Sequence, residues 1–147
     1  MALPTDYVAH DPRSITAAAN AANAAINFLL EGTGWRNLLG GAGLLNGWTA
    51  TVFMIRKAGS RVDLIEQDLN GTAATGDTIF NLGSAWGVDL SSGPFFPIPT
   101  FIGNAPAAAP VRITTAGQLS CTGRVGGLRA VTSWPSNPTV PSSLPGV

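Results

Sequence analysis

The side chains best able to do chemistry gather in one stretch, "GWTATVFMIRKAGSRVDLIEQDL", which holds Arg56, Lys57, Arg61, Asp63, Glu66 and Asp68. Paired carboxylates can work as acid and base or hold a cation, and clustered cations can hold an anion. Spacing decides among these. On a regular strand side chains alternate between faces, so Asp63 and Glu66 point apart while Glu66 and Asp68 share a face. That sharing suits a solvated pair or a weak cation site. Arg56, Lys57 and Arg61 bracket a turn at Gly59 and read as rim charges that keep a strand edge soluble. Nucleophilic catalysis has less to draw on. His10 is the single histidine and Cys121 the single cysteine. A Ser–His–Asp or Cys–His arrangement would have to bring His10 back from a polar segment far from the rest. Its expected role is capping or hydrogen bonding. One cysteine also rules out an internal disulfide and a cysteine-rich metal site. The expectation is a chain that is not an enzyme and uses neither cofactor nor metal.

Binding chemistry is a separate question, and here the four tryptophans matter: Trp35, Trp48, Trp86 and Trp134. An exposed indole can stack on a sugar ring or anchor a protein interface. Trp35 and Trp48 flank a glycine-rich joint, where packing is the expected role. Trp86 lies in "GSAWGVDLSSG", which has no clear strand pattern, and is the expected ligand contact if any aromatic meets one. The glycine-rich "GTGW" and "GGAG" lack the strand-to-helix setting of a phosphate site.

Composition narrows the partners. Eight basic and eight acidic residues give zero formal net charge, and only 11% of the 147 residues are charged. Nucleic-acid binding requires a basic surface, and none is supplied. No stretch reaches the ~18 apolar residues of a membrane span, and "MALPTDYVAHDPRS" lacks the basic end and apolar core of a signal peptide. Synthesis in a cytosol is expected, without membrane insertion. With 45% apolar residues and so few charges, the chain is expected to cover apolar surface by meeting copies of itself.

The elements that must position these residues separate by composition. Residues 1–13 form an N-terminal arm, and residues 14–34 hold an alanine-rich helix that Gly32 and Gly34 end. Residues 35–134 carry β structure, and residues 135–147 form a Pro/Ser-rich tail that would ordinarily fray. In the helix, Ile15, Ala19, Ala22, Ile26 and Leu29 recur at spacings of 4, 3, 4 and 3, a heptad seam about two heptads long. Two readings follow: an alanine-rich face resting on the β domain, or a small bundle of helices from several copies. Downstream, alternation and turns place a hairpin at about 50–57 and 61–69. A short strand follows at 78–82, then an edge segment containing Pro97 and Pro99, a second hairpin turning at Ala116-Gly117, and a last strand at 127–134. Six or seven short strands joined by tight turns predict an antiparallel β-sandwich. Phe53 and Ile55 lie on a strand apolar on both faces, which predicts that one face meets another subunit.

The order of these β elements resembles the small β-sandwich domain of phage tail fibres and minor tail proteins, those of actinobacterial phages above all. Arg56, Lys57, Gly59, Val62, Phe80, Leu82, Ile113, Gly117 and Trp134 fall at the matching turns and strands, over residues 47–134. The chain departs from the family at "NLGSAWGVDLSSGPFFP", where a Leu-Pro-x-Gly-Tyr-x-Pro segment is usual. The resemblance implies a mainly β homotrimer in the virion, with the helix trimerising or docking and with no enzymatic activity. The expected partners are self, other virion proteins and a host-envelope glycan. The expected role is a minor tail or tail-tip fibre, the alternatives being a capsid decoration (head fibre) or a carbohydrate-binding adhesin module.

Overall fold

The computed structural model describes residues 12–40, 43–90, 94–108 and 111–146, and within the helix the side chains of 16–27. The arm up to residue 11, with His10, lies outside these, as do the side chains of Ile15 and Leu29. The chain is mainly β, with two antiparallel sheets and one short α-helix.

Helix α1 spans Pro12–Glu31. Pro12 suits a first turn because its missing N–H would have no helical partner there. Gly32 stops the helix at φ 71°, and a Cβ at that position would run into the Lys57 carbonyl and Ala58. Only glycine permits both the turn and the approach. Thr33 then fastens the helix end to the domain: its N–H donates to the Lys57 carbonyl (2.7 Å), and its hydroxyl accepts from the Lys57 N–H (3.0 Å).

The strands are β1 (Arg36–Asn37), β2 (Val52–Ala58), β3 (Arg61–Leu69), β4 (Thr78–Asn81), β5 (Phe95–Ile98), β6 (Phe101–Ile102), β7 (Ala105–Pro106), β8 (Val111–Thr114), β9 (Gln118–Ser120) and β10 (Leu128–Pro135). The larger sheet runs β1-β2-β3-β10-β6-β7 and the smaller β4-β9-β8-β5. β1, β6 and β7 are two-residue pairings, too short to show a period, so the expected six or seven strands undercount. Both expected hairpins form. β2 and β3 join through Gly59-Ser60, with Gly59 at φ 55°, the place glycine takes in a two-residue hairpin turn. β8 and β9 join through a turn in which Gly117, at φ 78°, packs against the Gly83 backbone. β5, with Pro97, is an edge strand of its sheet, where a missing N–H costs no ladder bond.

Register assigns the faces. Phe53 pairs with Glu66, Ile55 with Leu64 and Lys57 with Val62. β10 continues the same face with Ala130 opposite Glu66 and Trp134 opposite Val62. These side chains are buried, and the apolar ones form one cluster with Ile79, Ile98, Ile113 and Leu119 of the smaller sheet. Each large apolar side chain so buried contributes about 1.5–3 kcal/mol. Phe53 and Ile55, expected at a subunit interface, are fully buried within their own domain instead. The apolar residues of β2 on its other face, Val52 and Met54, are only half-buried.

Residues 136–146 of the tail are held by the domain itself. Ser136 donates to the Ser60 carbonyl (2.8 Å), Lys57 Nζ to the Asn137 carbonyl (2.6 Å), and Arg36 to the carbonyls of Pro145 (3.4 Å) and Gly146 (3.3 Å). Lys57 is thus no rim charge. It continues the inward parity of Phe53 and Ile55, is fully buried, and donates as well to the Ala85 carbonyl. Burial lowers its pKa.

Candidate functional site

The outward side of the larger sheet is built in rows. Cross-strand partners share a face, so Arg56, Asp63 and Ser133 make one row and Met54, Ile65 and Val131 the next. In the polar row the Asp63 carboxylate accepts from Arg56 Nε (2.7 Å) and Arg61 Nε (2.6 Å). The Arg56 guanidinium also lies 4.8 Å from the centre of the Trp35 ring, a cation–π contact. Arg56 and Arg61 therefore stand at the rim as expected, but as partners of one carboxylate rather than as free cations. The apolar row ends in Val131, 82% exposed on β10.

Two hollows flank that apolar row, and Ile65 and Val131 border both. The smaller, about 290 Å³, is lined by Trp35, Arg56, Arg61, Asp63 and Ser133. The larger, about 520 Å³, is lined by Gln67, Phe101, Asn104 and Arg129. Phe101 comes from the β6–β7 hairpin and pairs in register with Arg129 of β10. Arg129 Nη2 lies 3.3 Å from the Asp68 carboxylate in an exposed ion pair. Asp68 reaches outward because its φ of 52° breaks the strand's alternation; the β10–β3 register slips nearby, between Leu128 and Ala130. Of these residues only Asp68 stood out in the sequence. A signal existed: Leu128, Ala130 and Trp134 share one parity, which leaves Val131 as an apolar side chain pointing outward.

That slip also separates Glu66 from Asp68. Glu66 stays on the core face, and neither carboxylate oxygen has a hydrogen-bond partner among the described residues. Burial pushes its pKa up to about 8, so it is protonated at neutral pH. No shared surface pair exists. Cys121 is buried too, and burial raises its thiol pKa against backbone hydrogen bonds at Gly123 and Arg124 that lower it. Among the described residues no group of three or more His, Cys, Asp or Glu side chains could hold a metal ion.

The expected ligand contact at Trp86 is overturned. Its ring is 1% exposed, on a 3-10 turn at Ser84–Trp86. The Trp86 carbonyl accepts from Trp134 Nε1 at 2.9 Å. No face of the indole is free to stack on a sugar. The helix seam lies the other way: residues 16–24 are exposed throughout, Ala19 and Ala22 among them, and Ile26 is 52% exposed. At these positions no alanine-rich face rests on the β domain. No protein-family model, curated protein or solved structure matches the chain.

Proposed function

We propose that the protein is a non-enzymatic structural component of a phage virion, a small homotrimeric tail or tail-tip fibre. In this reading the two sheets form a β-sandwich knob, and the seam of Ile15, Ala19, Ala22, Ile26 and Leu29 packs three helices together. The observation that carries it is the uncovered helix. An alanine-rich helix of 20 residues that leaves Ala19, Ala22 and Ile26 in water gains little from its own domain. Isolated helices near this length are marginal, because nucleation costs more than each added residue returns. Packing against copies of itself supplies the missing burial. The scarcity of charge supports association as well. The assignment to a virion rests on the resemblance in turn order over residues 47–134.

The mass of the full chain in solution, measured by light scattering, tests the assembly, and a trimer is expected. Ile15→Asp with Ile26→Asp should yield a folded monomer, because buried unpaired charges cost several kcal/mol, roughly. A wild-type monomer at micromolar concentration would sink the proposal. Gold-labelled antibody on intact particles tests the tail assignment. Label along the capsid would replace it with the head-fibre reading.

A further inference from the structure

We infer that the larger hollow on the outward side of the larger sheet is a binding site for a neutral glycan. This goes beyond the structural role proposed above and holds whether or not the chain trimerises. The hollow, about 520 Å³, falls within the 300–1,000 Å³ common for small-ligand sites, roughly. Its lining combines what a pyranose ring needs. Phe101, 41% exposed, offers a ring onto which the C–H face of a sugar can stack. Ile65 and Val131 add apolar wall beside it. The carboxamides of Gln67 and Asn104 have no hydrogen-bond partner among the described residues, and each brings donors and acceptors together. Arg129, also on the lining, adds planar guanidinium donors for sugar hydroxyls, and its ion pair with Asp68, outside the lining, holds it at 3.3 Å.

Charge selects the class of sugar. The Arg129 guanidinium already faces the Asp68 carboxylate, so the rim carries no net charge and gives an acidic sugar no surplus cation. Nucleic acid is disfavoured for the same reason. The occupant is a neutral hexose or pentose oligosaccharide presented at a surface.

The test presents the full chain to an array of neutral di- to tetrasaccharides containing glucose, galactose, mannose or arabinose, beside sialylated and uronic acid controls. Titration calorimetry with the best binder follows. Binding to a neutral oligosaccharide is expected, with a loss of at least tenfold in Phe101→Ala and in Asn104→Ala. Phe95→Ala, which removes an exposed phenylalanine of the smaller sheet, should leave binding unchanged. Circular dichroism and melting temperature establish that each variant is folded, and Gln67→Ala serves if Phe101→Ala is not. Three results would overturn the inference: no binding to any neutral glycan, binding to acidic glycans only, or binding indifferent to Phe101, Asn104 and Gln67. A fourth would be a Val131→Arg variant that dissociates an oligomer, since a second copy would then occupy this face.

Discussion

Replacing Glu66 by Gln should make the protein more stable at neutral pH and remove most of its pH dependence below pH 8. Between its ordinary value near 4.5 and the folded value of about 8, the folded chain holds a proton on Glu66 that the unfolded chain releases. Folding is then opposed increasingly as pH rises. The contribution is fully present below pH 4.5, declines across the window and is lost above about pH 8. At about 1.36 kcal/mol per unit the full span amounts to about 5 kcal/mol, of which about 3 kcal/mol is lost by pH 7. Against a typical total of roughly 5–15 kcal/mol this is a large share, and it is a ceiling, because local opening that admits water relieves part of it. Urea unfolding of wild type and Glu66→Gln at half-unit steps from pH 4 to 8 measures it directly. The two should nearly coincide at pH 4 and diverge steadily. By pH 7 the variant should melt on the order of 10 °C higher. The range stops at pH 8, short of the titration of the Cys121 thiol, which burial raises. Parallel curves with equal slopes would refute the argument, since they would mean that Glu66 is hydrated or paired when folded.

Three further outcomes follow from the packing. Lys57→Met should cost about 2–3 kcal/mol by leaving the Ala85 and Asn137 carbonyls without their donor, and limited proteolysis should then release the tail beyond residue 137. Phe53→Ala should cost about 3–5 kcal/mol without changing the assembled mass; a shift to monomer with unchanged stability would instead restore Phe53 to an interface. Gly117→Ala should cost more than about 1 kcal/mol, because an alanine is strained at positive φ and its Cβ would meet the Gly83 backbone.

The strongest local signals were legible in the sequence. Gly59 and Gly117 announced both hairpins because positive φ between two alternating runs has few other uses. Two misreadings came from trusting charge over parity. Lys57 shares the parity of Phe53 and Ile55, and Glu66 that of Val62 and Leu64, so both inward directions could have been read off. Other features left no trace. Trp86 is buried by a 3-10 turn and by Trp134, which lies 48 residues away. The tail docks through backbone carbonyls, which every residue carries, so "PSNPTVPSSLPGV" reads as loose chain whether or not it is held. The hollow beside Phe101 is likewise built from distant pieces, with Gln67 on β3, Asn104 in a hairpin turn and Arg129 on β10.

The hydrogen bonds from Arg36 to Pro145 and Gly146 carry a consequence for modularity. They place the point where the chain enters the β domain beside the point where it leaves, so both ends of the knob emerge together. A domain with that geometry can be spliced into a surface loop of another protein without prying the loop's two stems apart. It can also be circularly permuted, with residue 146 joined to residue 35 by a short linker and new ends opened at an exposed turn such as Thr122-Gly123. A cargo fused at the C-terminus would sit at the root of the helix.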